Sequence, residues 1–180
     1  ITVIGRHLPN SLKKKDFFLF SDLSSNIQFK NKIKKNATKV IFLSNAGIID
    51  PINSADKINR KLLKRNYNIN FFSPFIIASQ LAKNSKLKKL KLHIINISSG
   101  ASSKAIAGWS PYCSSKAAIK MALDCIATEN NHVTVDHINP ASMNTNMQKK
   151  IRFSEKKNML KIKYFTNLHK RKLLKKPELA

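Results

Sequence analysis

The sequence predicts an α/β fold with a doubly wound parallel sheet, on the strength of two patterns. Runs rich in valine, isoleucine and phenylalanine recur without polar alternation, which suits strands that are buried on both faces. Segments with apolar residues at helical spacing separate these runs, and alternating β and α units favour parallel strands joined by right-handed crossovers. The 180 residues, 42% of them hydrophobic, support a sizeable core, so we predict one domain over 1–180.

The individual elements follow from these patterns in chain order. We predict strands at 1–5, 17–20, 40–44, 92–98 and 133–138. A weak, basic helix is predicted at 23–35 and a long helical stretch at 57–83, which Pro74 is expected to kink because proline cannot donate a backbone hydrogen bond. A further helix is predicted at 111–130, where small and apolar residues recur at helical spacing.

The composition narrows the possible partners. The formal net charge is +25, but the lysines are spread over many segments and accompany an excess of asparagine and isoleucine. We attribute this bias to genome-wide nucleotide composition, and no zinc, helix-turn-helix or RNA-binding motif accompanies it. We therefore expect weak, salt-sensitive binding to polyanions and no specific nucleic-acid partner, although a basic nucleic-acid-binding protein remains an alternative.

Other features bear on location. The sequence contains no apolar run as long as the roughly 18 residues of a membrane span, and no signal-peptide pattern opens it, so we expect no membrane partner. Cys113 and Cys125 lie on one predicted helix, roughly 18 Å apart at 1.5 Å per residue, which is too far for a disulfide. This favours a reducing, cytoplasmic setting.

The residues that carry chemistry are Tyr112, Lys116 and Ser99. Tyr112 and Lys116 are four residues apart on the predicted helix and therefore share a face. A phenol ordinarily titrates at about 10, and a nearby ammonium group is expected to lower that pKa, which makes Tyr112 a candidate general acid or base. Ser99 closes the strand at 92–98 and is placed to hold a carbonyl oxygen beside the phenol.

Several further motifs accompany this group in a fixed order. Asn45-Ala46-Gly47 follows the third strand, Asn70 lies in the long helical stretch, and 139–145 follows the fifth strand. Their order and spacing resemble the short-chain dehydrogenase/reductase family over nearly the whole chain. The segments 108–117 and 144–148 are similar in particular to the branch that contains sepiapterin reductase and the benzil reductases.

This resemblance implies a Rossmann-like fold and an NADPH-dependent carbonyl reductase. The implied catalytic residues are Asn70, Ser99, Tyr112 and Lys116, with Tyr112 as proton donor, Lys116 on the nicotinamide ribose, and Asn70 supporting a water relay. The implied cofactor-binding residues are Arg6, Asp22, Asn45, Ala46, Gly47, Tyr112, Lys116, Pro140 and Thr145. An arginine at the position of Arg6 favours the 2′-phosphate of NADP, as an acidic residue there would favour NAD. The resemblance also implies a small carbonyl substrate and a homo-oligomer at full length.

Some alternatives stay open at this point. Asn68 competes with Asn70, Ser98 competes with Ser99, and Asp22 suits a helix cap as well as an adenine contact. Trp109 and Met147 are expected either to wall a substrate pocket or to be ordinary core. We expect no metal site, because the histidines lack ligand spacing.

The chain departs from the family pattern at three places. It shows no glycine-rich phosphate loop, and we expect it to begin inside the family's second strand and to end before its last one. Ala141 stands where the family usually has glycine, in a loop where alanine resists a positive φ. A catalytically inactive family remnant is therefore an alternative to an active reductase.

Overall fold

The computed structural model describes most of the chain from the third strand onward. The described residues are 2–5, 17–20, 22–25, 33, 36–154 and 162–176. Arg6 lies outside them, as does most of the helix predicted at 23–35.

The strands form parallel pairs, as the sequence predicted. Strand β1 (Thr2–Gly5) pairs in parallel with β2 (Phe17–Phe20). Strands β3 (Lys39–Ser44), β4 (Lys91–Ile97) and β5 (Val133–Ile138) form a parallel sheet in the order β3-β4-β5. Each strand begins and ends within one residue of the predicted position.

The long helical stretch consists of two α-helices joined by one wide turn. Helix α1 (Arg60–Tyr67) begins after Asn59, whose side chain accepts from the backbone N–H of the second and third helical residues. A π-helical turn (Asn68–Phe72) follows, and α2 spans Ser73–Leu87. The expected irregularity near Pro74 is thus this π turn. Pro74 itself occupies the first turn of α2, where its missing N–H costs nothing.

The remaining helices are α3 (Ser110–Glu129), α4 (Asn146–Phe153) and α5 (Ile162–Lys170). The prediction at 111–130 located α3 to within one residue, whereas it did not specify α4 or α5. Short 3-10 turns lie at Ala55–Lys57 and Gly100–Ser102. In the described part of the chain, none of the helices combines the length and apolar character needed to cross a bilayer.

The core lies on one face of the three-stranded sheet. Helix α2 packs on β3 and β4, and α3 packs on β5 and α2. Residues in register across the strands, such as Leu92 and Val133, are buried beneath these helices together with Leu123. On the opposite face, Ile41 and Leu43 are 59% and 57% exposed. The architecture is a Rossmann-like parallel sheet with flanking helices, and it fixes the ends of β3, β4 and β5 next to one another.

Candidate active site

A cavity of about 670 Å³ opens at the carboxyl ends of the three strands. Its wall includes Asn45 after β3, Ser99 after β4 and Pro140 after β5, together with side chains from α3, α4 and α5. Carboxyl ends of parallel strands are where open α/β sheets bind ligands. The predicted site residues that line this cavity are Asn45, Gly47, Ser99, Tyr112, Lys116, Pro140 and Thr145.

Tyr112 is held in a largely buried position at the start of α3. It is 6% exposed, and burial raises the pKa of its phenol above the usual value, while a hydrogen bond with the Ser99 side chain opposes the rise. The direction is opposite to the lowering that we expected from Lys116, because loss of water around the phenol outweighs its polar contacts. The phenol is therefore protonated at neutral pH and suited to donate its proton.

Lys116 lies one helical turn after Tyr112 and is equally buried. Its Nζ donates a hydrogen bond of 2.8 Å to the backbone carbonyl of Ile97, at the end of β4. Burial lowers the pKa of this ammonium group from 10.5 to about 8. The group remains mostly charged at neutral pH, and it faces the cavity as a cation with donor capacity beyond the single bond to Ile97.

The π turn places Asn70 behind the loop that follows β3. The side chain of Asn70 accepts from the N–H of Ile48 and donates to the carbonyl of the same residue, both at 2.9 Å. It is 2% exposed and is not one of the cavity-lining residues. Asn68, its competitor, donates to the carbonyl of Ser24 instead, so of the two asparagines it is Asn70 that contacts the loop after β3.

Gly47 is the point at which this loop approaches Lys116. A Cβ atom at position 47 would lie 3.5 Å from Oδ1 of Asn70 and 3.7 Å from Nζ of Lys116. Glycine therefore leaves open the space directly above the lysine ammonium. The neighbouring Ala46 is exposed and does not line the cavity.

The loop after β5 adopts the conformation that glycine would favour, although Ala141 occupies the position. Ala141 has a φ of 62°, and its N–H donates to the side-chain oxygen of Asn139 at 3.1 Å. Thr145 ends the loop, and its hydroxyl accepts from the N–H of Gln148 as the cap of α4. Ala141 thus adopts a left-handed backbone conformation, which a side chain with a Cβ atom disfavours.

Asp22, another predicted cofactor residue, does not line the cavity. Asp22 follows β2, and its carboxylate accepts from the N–H of Ser24 at 2.9 Å within a tight turn. The structure ties this turn to the helices, because Ser73 donates to the carbonyl of Leu23. Arg6 lies outside the described residues, so its contribution stays a prediction.

Of the two serines, Ser99 is the one that meets the tyrosine. Ser98 also lines the cavity, but its hydroxyl donates to Ser102. The hydroxyl of Ser99 accepts from the N–H of Ala101, and the Ser99 side chain lowers the pKa of Tyr112 against the effect of burial. The spacing along the sequence also favours Ser99, and its role in catalysis stays a prediction.

The sequence did not predict the aromatic wall supplied by α5. The ring of Phe165 stacks on Trp109 with centroids 5.5 Å apart, and Trp109 in turn meets Tyr112 edge to face at 5.7 Å. Trp109 and Met147 line the cavity, and both also belong to the apolar cluster around Phe165, so the two alternatives for them do not exclude each other. The signal for Phe165 was the apolar spacing of Ile162, Phe165 and Leu168, which marks one face of a helix without indicating what it covers.

Comparison with known proteins identifies the architecture around this cavity. The sequence profile described as short chain dehydrogenase matches residues 6–156. The chain belongs to the short-chain dehydrogenase family. It is 31% identical over 163 residues to a benzil reductase ((S)-benzoin forming) from Bacillus cereus, covering 88% of this chain and 64% of that protein.

Two further similarities agree with this assignment. A benzil reductase ((S)-benzoin forming) from Bacillus subtilis is 32% identical over 143 residues, with 77% of this chain and 59% of that protein covered. The crystal structure of the KRED1-Pglu enzyme superimposes with a TM-score of 0.82 at 26% identity, covering 99% of this chain and 78% of that one. The chain thus spans roughly three fifths of the length of the two benzil reductases.

Proposed function

We propose that the protein is an NADPH-dependent carbonyl reductase that acts on ketones, with Tyr112 as the general acid. The observation that carries this proposal is the pairing of a protonated, buried Tyr112 with Ser99 and Lys116 on the wall of one cavity. Oxidoreductases of this family use nicotinamide cofactors, and the named relatives are reductases of a diketone.

The polar groups on the cavity wall suit a nicotinamide cofactor. Lys116 offers N–H donors beside the open space above Gly47, which fits the hydroxyl groups of a ribose. The hydroxyl of Thr145 and the backbone of the loop after Pro140 offer hydrogen bonds for a carboxamide. The cofactor, when bound, supplies the hydride that reduces the carbonyl carbon.

The chain's own residues then handle the substrate oxygen. Ser99 donates a hydrogen bond that polarises the carbonyl, and Tyr112 transfers its phenolic proton to the oxygen as negative charge develops there. The positive charge of Lys116 stabilises the phenolate that remains. Asn70 anchors the loop at Ile48, the residue after Gly47, through both ends of its side-chain amide.

The choice of NADPH over NADH rests on Arg6 in the sequence, because a guanidinium group pairs with a 2′-phosphate that only NADP carries. The protein's small-molecule substrate, its homo-oligomeric state and its cytoplasmic location belong to the same proposal. The two cysteines are free, which is consistent with a reducing compartment.

The proposal is tested by removing the proton donor. We expect Tyr112→Phe to lower benzil reduction by NADPH about 100-fold or more, the usual contribution of a positioned general acid, while NADPH affinity stays within about twofold. Tyr164→Phe is the matched control, because Tyr164 also lines the cavity but is 57% exposed and lies on α5. Reduction would be followed by NADPH absorbance and binding by calorimetry.

Two different results would contradict two different parts of the proposal. Substantial turnover in the Tyr112→Phe variant would contradict the catalytic assignment. Failure of the unchanged protein to bind NADPH would instead support an inactive member of the family.

A further inference from the structure

The charged residues on the cavity wall are both cations. Lys104 and Lys116 line the cavity, and none of the described residues that line it is an aspartate or a glutamate. The proposed mechanism uses Lys116, which is buried and donates to the carbonyl of Ile97. It gives no function to Lys104. Because a cleft lined by charges of one sign attracts ligands of the opposite sign, the second cation indicates an anionic ligand.

Lys104 lies on the side of the cavity where the substrate is proposed to bind. It belongs to the loop between β4 and α3, which carries Ser99 near one end and Trp109 at the other. Ala101 and Ile106, on either side of Lys104 in this loop, also line the cavity. The cofactor is proposed to bind beside different loops, those that follow β3 and β5. The charge of Lys104 is therefore placed to act on the substrate.

The side chain of Lys104 is accessible to a ligand. The residue is exposed, and no hydrogen bond or ion pair in the described part of the chain engages its ammonium group. Lysine carries a point charge on a flexible four-carbon stem, and its attraction to an anion acts over several ångströms without a fixed contact geometry. The neighbouring apolar wall, which includes Ile106, Trp109 and Phe165, suits an apolar or aromatic body.

We propose that Lys104 determines substrate specificity by attracting a carboxylate, so that the substrates are keto acids with an apolar body. That the ketone of these ligands is reduced, with Tyr112 as proton donor, rests on the proposed function. Attraction of the carboxylate by Lys104 does not require turnover and is measured separately.

The test compares two ligands of the same shape that differ in charge. Benzoylformate carries a carboxylate beside its ketone, and 1-phenyl-1,2-propanedione has a methyl group in place of the charged oxygen. Trp109, the single tryptophan of the chain, lines the cavity, so its fluorescence reports binding of either ligand without cofactor. We expect Lys104→Met to weaken benzoylformate binding about threefold to fivefold, as for loss of an exposed ion pair, and to change dione binding less than about twofold.

Three further variants complete the design. Lys104→Glu should weaken benzoylformate binding about tenfold or more, because repulsion of similar size replaces the attraction. Lys104→Arg keeps the charge and should keep both affinities within about twofold. Lys91→Glu is the matched control, since it changes the net charge equally. Lys91 is exposed at the amino end of β4, roughly 20 Å from the cavity end at about 3.3 Å per residue, so its replacement should affect neither ligand.

The results separate this inference from the proposed function. Equal weakening of both ligands by Lys104→Glu, a benzoylformate affinity that neither Lys104→Met nor Lys104→Glu changes, equal effects of Lys91→Glu and Lys104→Glu, or no benzoylformate binding to the unchanged protein would overturn the inference. Any of these results, together with reduction of benzil by NADPH, would leave the proposed function in place. Benzoylformate binding that depends on the charge at position 104, without any reduction by NADPH, would support the inference and contradict the proposed reductase activity.

Discussion

At the scale of single residues, Lys116 shows how the site is maintained at a cost to stability. Its ammonium group is charged but only 6% exposed, and its pKa of about 8 lies well below the ordinary 10.5. At about 1.4 kcal/mol for each pH unit, that difference corresponds to about 3 kcal/mol of unfavourable burial at neutral pH. The hydrogen bond to the carbonyl of Ile97 offsets part of this cost.

Removing the charge should therefore stabilise the cofactor-free chain. We expect Lys116→Met to raise the free energy of unfolding by about 1–2 kcal/mol near pH 7, less than the full cost because the Ile97 carbonyl loses its donor. Urea denaturation measures the effect. Lys120→Met, one turn further along α3, is the control, and loss of its half-exposed pair with Asp124 should cost no more than about 1 kcal/mol.

The lowered pKa of Lys116 also predicts how the stability of the protein depends on pH. Between about pH 8 and 10.5 the unfolded chain binds a proton at Lys116 that the folded chain has released, so stability of the unchanged protein rises through that window. The gap between the two proteins should then close with increasing pH. A Lys116→Met variant that is less stable near pH 7 would contradict both statements.

The backbone conformation of Ala141 also lowers the stability of the folded protein. A φ of 62° is in the left-handed region, where a Cβ atom is disfavoured. We expect Ala141→Gly to raise the free energy of unfolding by about 0.5–1 kcal/mol, measured by urea denaturation. Ala117→Gly in the middle of α3 should have the opposite sign and lower it by about 1 kcal/mol, because glycine is a poor helix former. A destabilised Ala141→Gly variant would show that the loop carries no such strain.

At the scale of elements, the sequence predicted the strands and helices whose positions depend on the local pattern of residues. Strands β2 and β5 and helix α3 are marked by their own residues. The sequence also indicated that Ser99, which follows β4, and Tyr112, which lies on α3, share one site, and both line the cavity. The raised pKa of Tyr112 was not predictable, because it depends on how deeply tertiary packing buries the ring. Phe165 was missed for the same reason, since its role depends on how α5 packs.

The π turn is another feature that local pattern does not reveal, and Asn66 is its buried support. Asn66 is fully buried and donates to the carbonyls of Ile48 and Asp50, while its oxygen accepts from Asn70 and Ser115. These bonds join the turn to the loop after β3 and to α3. A polar network of this kind fixes one geometry only if every member is satisfied.

Breaking this network should cost far more than breaking an ordinary side-chain bond. We expect Asn66→Leu, which has a similar volume, to lower the free energy of unfolding by about 3 kcal/mol, because several buried groups lose their partners together. Asn130→Leu, which removes one bond to the carbonyl of Ile126 at the end of α3, should cost about 1 kcal/mol. Equal effects of the two substitutions in urea denaturation would rule out a special role for Asn66.

At the scale of the whole molecule, charge is far from balanced. The formal net charge is +25 with histidine counted as neutral, and the lysine–carboxylate ion pairs between described residues engage Asp50 and Asp124. Even neighbouring strands carry like charges side by side, because Lys39 of β3 is in register with Lys91 of β4. Repulsion among these cations favours the expanded, unfolded chain.

Added salt should therefore stabilise this protein, whereas it would hardly change the stability of a protein with balanced charges. The Debye length falls from about 10 Å at 0.1 M to about 3 Å at 1 M, which screens repulsion between exposed lysines. We expect sodium chloride over this range to raise the melting temperature by about 2–4 °C for each kcal/mol of repulsion removed. Lys39→Glu places an opposite charge beside Lys91 and should both raise the melting temperature at low salt and reduce its dependence on salt. A melting temperature that falls with added salt would mean that the few ion pairs outweigh the excess positive charge.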